Sequence, residues 1–103
     1  DPARRQILQV GDVDVGEVSI EERETEIYLA RIALLPEWHG RGIGTSIVRS
    51  LLERGAAERK AVVLEVLHAS PRARRLYERL GFEPTGESAT HVFMRAEPAR
   101  GRQ

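Results

Sequence analysis

Along the first third of the chain the apolar side chains come in short β-branched runs. Gln6–Val10 and Val13–Ile20 flank Gly11-Asp12, a pattern that predicts a two-strand hairpin whose second strand is weakened by Gly16. Glu21–Thr25 is polar and reads as a turn. Glu26–Leu35 carries isoleucine, leucines and Tyr28 with no internal breaker, the strongest strand signal in the chain, and Pro36 ends it. The period then changes. Ile43, Ile47, Val48, Leu51 and Leu52 fall at i, i+4, i+5, i+8 and i+9, the stripe of an amphipathic helix, with Arg49, Glu53, Arg54, Glu58 and Arg59 on its other face. Ala61–Leu67 is an almost continuous apolar run interrupted by Glu65, as in a buried strand. Ser70 suits the cap of a second helix and Pro71 its first turn. Ala73, Leu76, Tyr77 and Leu80 give that helix its inward face, and Gly81 its stop. After a polar stretch, Glu83–Thr90, a last strand is expected at His91–Ala96, followed by a polar, fraying tail from Glu97.

The predicted order is β-β-β-α-β-α-β. Strands alternate with helices only in the second half, so the fold class is α/β in the α+β sense, with a mixed sheet that is antiparallel first and parallel in the middle. At 103 residues the whole chain, 1–103, makes a single domain. Sixteen basic side chains balance sixteen acidic ones, so no net field draws the molecule to nucleic acid or an anionic membrane. The apolar runs are too short for a membrane span, and no signal peptide is visible, which makes the cytoplasm the expected location. There is no cysteine, and His39, His68 and His91 are too scattered for a helical zinc pair, so neither a thiolate nucleophile nor a metal is expected.

The chemistry concentrates between the long strand and the first helix. Gly40-Arg41-Gly42-Ile43-Gly44-Thr45 makes poor helix and poor strand. Alternating glycines there let the backbone approach a bulky anion and aim N–H groups at it, with the helix dipole adding partial positive charge. A pyrophosphate is the natural guest; a ligand-free tight turn is the plain alternative. A Walker loop is excluded because no lysine follows Gly44. A dinucleotide fingerprint would find its ribose-binding acid in Glu65, but Pro36-Glu37-Trp38-His39 separates the glycines from the strand and the third glycine comes one residue early.

The run Leu34-Leu35-Pro36-Glu37-Trp38-His39-Gly40-Arg41-Gly42-Ile43-Gly44 resembles the coenzyme A motif of the GNAT superfamily of N-acetyltransferases, whose core is Gln/Arg-x-x-Gly-x-Gly/Ala. Leu76-Tyr77-Glu78-Arg79-Leu80-Gly81-Phe82 resembles the signature that ends that superfamily's fourth helix. The resemblance covers Glu26–Phe82 and implies a GNAT-like acyl-CoA N-acyltransferase fold with acetyl-CoA as co-substrate. It implies that Ile32, Ala33 and Leu34 offer backbone groups to the pantetheine arm. It implies further that Gly40, Arg41, Gly42, Ile43, Gly44 and Thr45 hold the pyrophosphate, that Tyr77 protonates the departing thiolate, and that Glu65 is a general base. Two positions depart from the pattern. His39 stands where Gln or Arg is usual, and Ser70 where Asn is usual, so Ser70 is either a pantetheine contact or simply a helix cap.

Acetyl transfer to an amine needs that amine unprotonated, and a lysine-like amine has a pKa of about 10.4. Glu65, the lone carboxylate in an apolar strand, is the first candidate base if it faces inward; an outward-facing charge is the alternative. Glu26 is the second candidate. Tyr77 is either the acid or a core residue with its hydroxyl at the edge. Arg41, or one of Arg72, Arg74, Arg75 and Arg79, is a candidate for the 3′-phosphate of coenzyme A. The expected activity is direct transfer to a primary amine of a small molecule, peptide or lysine, with a non-catalytic acyl-CoA-binding regulatory module as the competing function. Most members of the family carry a strand and two helices before the hairpin. Because the chain starts at Asp1, it is expected to be either an N-terminally truncated domain lacking them or one that completes its sheet and an apolar acceptor groove by forming a homodimer.

Overall fold

The computed structural model describes residues 3–99, so Asp1 and the end of the polar tail lie outside the described residues. The elements follow in the order β1 (Ala3–Val10), β2 (Val13–Glu22), β3 (Glu26–Leu34), a 3-10 turn (Pro36–Trp38), α1 (Ile43–Glu58), β4 (Ala61–Leu67), α2 (Pro71–Arg79), β5 (Glu83–Glu87) and β6 (His91–Ala96). They build one six-stranded sheet in the order β1-β2-β3-β4-β6-β5. β3 and β4 pair in parallel, and the other described pairs are antiparallel.

The sequence pattern places seven of these nine elements; the 3-10 turn and β5 are additions. Glu-Pro-Thr-Gly-Glu has neither alternation nor β-branched richness, and all five residues are exposed. It is a strand because β6 offers an open edge, with Glu83 opposite Arg95 and Gly86 opposite Phe93. Pro84 is tolerated because an edge strand has one side on which no ladder bond is required.

Both helices lie on one face of the sheet. Val48 and Leu51 of α1 pack with Val18, Ile27, Leu29, Val62, Leu64, Val66, Val92, Met94 and Ala96; Phe82, just past α2, joins the same cluster, and Ala73, Tyr77 and Leu80 pack against that cluster. Ile27, Val62 and Met94 are at most 1 % exposed, so this layer is the hydrophobic centre of the fold. The opposite face is of another kind. Arg23 bridges Glu21 (2.6 Å) and Glu26 (3.2 Å), and Arg95 bridges Glu26 (2.5 Å) and Glu97 (2.5 Å). Farther along, Glu17 joins Arg5 (2.7 Å) and Arg31 (3.2 Å). Beside these paired charges, Ile7, Ala33, Leu34 and Leu35 line a more apolar groove of about 290 Å³ that Asp14 and Glu17 border. Exposed apolar side chains sit mainly around the β1–β2 turn, at Ile7, Val10 and Val13, with Leu35 and Leu67 beyond.

Candidate functional site

The site begins where two parallel strands part. β3 and β4 pair from Glu26↔Ala61 to Leu29↔Leu64 and no farther, although β3 runs on to Leu34 and β4 to Leu67. The cause is one extra residue. Across β2, Ile20 faces Leu29 and Ser19 faces Arg31, so Ala30 has no partner and bulges. A bulge bends its strand and sharpens the local twist, which swings the end of β3 away from β4. Ile32, Ala33 and Leu34 still pair with β2; the Leu35 N–H bonds to β2 as well, so by alternation the Ala33 groups face β2 while those of Ile32 and Leu34 face the gap. The three residues expected to meet a pantetheine arm therefore form one side of a fork.

A second bulge fixes the far end of this arm. Leu8 faces Gly16 and Gln9 faces Asp14, leaving Val15 unpaired. Its carbonyl accepts a hydrogen bond from the Leu35 N–H at 2.8 Å. A Cβ on Gly16 would lie 2.1 Å from the Ala33 carbonyl oxygen, so only glycine lets β2 approach β3 this closely. The residue that weakens β2 in the sequence pattern is the one that permits this packing.

Beyond Leu35 the chain makes its 3-10 turn, and the His39 ring returns to the strand, with Nε2 2.8 Å from the Leu34 carbonyl. Gly40 and Gly42 follow with φ of 74° and 80°, a region that costs an L-residue energy and a glycine none. Gly42 is the N-cap of α1 and no side chain caps it. The first helical bond is Ser46 N–H to Gly42 O at 3.0 Å, so the amides of Ile43, Gly44 and Thr45 lie in the first turn, where a helix has no acceptor of its own to offer. Side chains on Gly40 or Gly42 would meet nothing within 4 Å, which puts open space in front of these amides. The residues present thus fit a bulky anion such as a pyrophosphate. A Cβ on Gly44 would lie 3.9 Å from Ile32 Cδ1, so the helix start rests against the β3 arm.

Arg41 does not extend over this cradle. Its guanidinium stacks 4.7 Å from the Trp38 ring centroid, and its Nε donates to the Glu37 carbonyl at 3.2 Å. The basic side chain beside the cradle is Arg49, which lines a polar groove of about 410 Å³ with Gly42, Thr45, Ser46, Ser50 and Glu53. In the sequence pattern Arg49 falls on the solvated helix face, and the one signal that sets it apart is its place about two turns into the helix that the glycines open. Arg74 pairs with Glu78 at 3.2 Å.

The titratable groups divide between the two faces of the sheet. Glu65 lies between buried Leu64 and Val66, and so on the face away from the helices, where it is exposed rather than enclosed. It is the first β4 residue past the last β3–β4 pair, at the crotch of the fork. There Tyr28 Oη donates to Glu65 Oε2 at 3.0 Å. Burial, and then that hydrogen bond, push the Tyr28 phenol above its ordinary value. The pair borders a cleft of about 390 Å³ whose walls include Val63, Phe93 and Arg95. The sequence pattern presents Tyr28 only as a strand residue; the register that sets it beside Glu65 is not visible in it. The alternative base, Glu26, lies at the other end of this cleft, held between Arg23 and Arg95.

Tyr77 belongs to the helix side. Its ring packs edge-on against Phe82, with centroids 5.7 Å apart, and burial alone pushes its phenol above the ordinary value. Ser70 occupies the N-cap position of α2, but its hydroxyl makes no capping bond, contrary to the capping role its Ser-Pro context suggests. Its carbonyl accepts from the Arg74 N–H at 3.2 Å. Among the described residues no three His, Cys, Asp or Glu side chains gather as metal ligands, and no helix is long and apolar enough to cross a membrane.

Residues 4–84 match the family model described as an acetyltransferase (GNAT) domain. Human N-acetyltransferase 8B is 31% identical over 90 residues, which make up 84% of this chain and 37% of that protein, so the chain spans little more than a third of that relative's length. Two solved structures share the fold at low identity. The ribosomal-protein-S18-alanine N-acetyltransferase of Escherichia coli superposes with a TM-score of 0.83 at 18% identity, over 100% of this chain and 74% of that one. Arabidopsis thaliana Naa50, in complex with the bisubstrate analogue CoA-Ac-MVNAL, superposes with a TM-score of 0.80 at 18% identity, over 90% and 72% of the two chains.

Proposed function

Since this chain belongs to the GNAT family of acetyltransferases, we propose that it transfers the acetyl group of acetyl-CoA directly to a primary amine of a small molecule, peptide or lysine. One observation carries the proposal: a strand with a free backbone edge, Ile32–Leu34, runs through a short turn into an uncapped helix start opened by two left-handed glycines. That is a continuous backbone surface for an extended amide-containing arm ending in a pyrophosphate.

In this reading the Ile32–Leu34 arm binds the pantetheine amides as a strand binds its neighbour. The amides from Gly40 to Thr45 hold the pyrophosphate, Arg49 provides a positive charge for the 3′-phosphate, and Ser70, its hydroxyl not spent on a cap, is available to bond the pantetheine. The thioester then lies in the fork with Glu65 on the open face and Tyr77 on the helix side. Glu65 takes the proton from the acceptor amine, directly or through one water. The Tyr28 hydroxyl holds the carboxylate in place for that step. Tyr77, kept protonated by burial, supplies the proton that the coenzyme A thiolate needs as it leaves. The attacking amine's electron pair forms the new C–N bond as the C–S bond breaks, and no covalent enzyme intermediate is required.

A non-catalytic acyl-CoA-binding module would need the cradle but not the Tyr28–Glu65 pair, and the presence of that pair at the crotch favours catalysis. A thermal-shift comparison of acetyl-CoA, coenzyme A and NAD, followed by a free-thiol assay with a panel of amines, tests both. Stabilisation by both coenzyme A species but not by NAD, with thiol released only when an amine is present, is the expected result. Binding without thiol release from any amine would leave the regulatory reading, and no shift at millimolar acetyl-CoA would end both.

A further inference from the structure

The peptide unit between Leu34 and Leu35 is held at both poles. Its N–H donates to the carbonyl of bulged Val15 at 2.8 Å, and its carbonyl accepts from His39 Nε2 at 2.8 Å. The second bond requires a proton on Nε2, because a carbonyl only accepts. Between Leu34 and His39 lie the Pro36–Trp38 turn and its own bonds, Trp38 N–H to Leu35 O (2.9 Å) and His39 N–H to Pro36 O (3.1 Å). These two close the turn on itself but do not tie it to the β3 arm. The His39 ring makes that tie, and it is the residue immediately before the glycines.

We propose that His39 is a positioning residue: by bonding to the Leu34 carbonyl it fixes the glycine cradle relative to the free edge of Ile32–Leu34. The inference rests on reading these two segments as one acetyl-CoA site, since a ligand spanning both needs their separation set in advance. Gly40 and Gly42 are free to rotate in the unfolded chain and, with open space before them, have no side-chain packing to hold them. The start of α1 is held by its packing on β3 at Gly44, but without the His39 bond the segment before it, from Leu35 through the 3-10 turn to Gly42, has no tie of its own to the Ile32–Leu34 arm, and binding must order what folding left loose. The same bond takes up the Leu34 carbonyl, so on this arm the groups left for the ligand are those of Ile32 and the Leu34 N–H, Ala33 being turned toward β2.

The test compares wild type with His39→Ala and His39→Gln; the glutamine carboxamide retains an N–H donor without the ring or a titratable charge. The expected result is that His39→Ala raises the acetyl-CoA KM and the coenzyme A Kd by about tenfold, the cost of ordering roughly one backbone residue on binding. Its kcat at saturating acetyl-CoA should stay within about twofold, and His39→Gln should recover most of the affinity. In the ligand-free protein, His39→Ala should shift the Leu35 amide resonance, whose nitrogen is bonded to the Leu34 carbonyl carbon, and His39→Gln should largely restore it. Unchanged affinity in His39→Ala, an equal fall in kcat, or failure of glutamine to rescue would overturn the positioning role. An unchanged Leu35 resonance in His39→Ala would overturn the bond itself, with or without ligand. If wild type binds no coenzyme A, the functional reading fails first and the positioning role falls with it.

Discussion

Tyr28 and Glu65, thirty-seven residues apart in the chain, meet at 3.0 Å where β3 and β4 separate, the phenol donating and the carboxylate accepting. If Glu65 is the base, Glu65→Gln lowers turnover strongly at neutral pH and much less in alkali, where the amine loses its proton unaided. Tyr28→Phe removes one hydrogen bond to the carboxylate and should cost about two- to tenfold in kcat. pH–rate profiles with a verified acceptor check both, and a Glu65→Gln profile superimposable on wild type would remove Glu65 from the mechanism.

Gly42→Val places a β-branched side chain at φ of 80° in the open space before the helix amides. It should destabilise the free protein by about 1–3 kcal/mol through backbone strain and abolish the response to acetyl-CoA. In wild type, ligand at a hundredfold over its Kd adds about 2.7 kcal/mol, a rise of roughly ten degrees or more in Tm for a domain of this size. Differential scanning fluorimetry with and without ligand measures both effects.

Both tyrosines have phenols pushed above the usual value of about 10. A phenol with a raised folded-state pKa contributes its stabilisation fully below about pH 10 and loses it as pH rises toward the folded value, because the unfolded chain ionises first. Phenolate absorbance of the folded protein should therefore rise only above pH 10, and the unfolding free energy should fall over that interval. Tyr77→Phe should remove one of the two steps. It should also lower kcat by about 10²–10³ at unchanged coenzyme A affinity.

Arg49 lines the groove that opens from the cradle, whereas Arg41 is stacked on Trp38. Arg49→Ala should weaken coenzyme A by about three- to tenfold and leave 3′-dephospho-coenzyme A unaffected. Calorimetry with the two ligands decides it: equal losses would place Arg49 elsewhere than at the 3′-phosphate.

A Cβ 2.1 Å from the Ala33 oxygen cannot be accommodated without moving a strand. Gly16→Ala should cost about 1–3 kcal/mol of stability and displace the β3 arm, raising the acetyl-CoA KM as well. Denaturant unfolding and steady-state kinetics on the same preparation test the two together.

The sequence by itself determined what depends on near neighbours. The 3.6-residue stripe from Ile43 to Leu52, the β-branched runs, Pro36, Pro71 and Gly81 set the elements to within a few residues, because periodicity and turn chemistry act over one or two turns of chain. The glycines before α1 marked the cradle for the same reason: φ of 74° and 80° is a local demand. What only the tertiary structure decided depends on pairing between distant segments. β5 exists because β6 has an edge to lend, not because Glu83–Glu87 favours a strand. The outward face of Glu65, its meeting with Tyr28 and the opening of the fork at Ala30 all follow from register, in which one extra residue redirects every side chain beyond it. Gly16 gives the clearest contrast: in the sequence it is a weak point in a strand, and in the fold it is what lets β2 lie against the Ala33 carbonyl, because the space available to a Cβ is set by a strand that begins ten residues later.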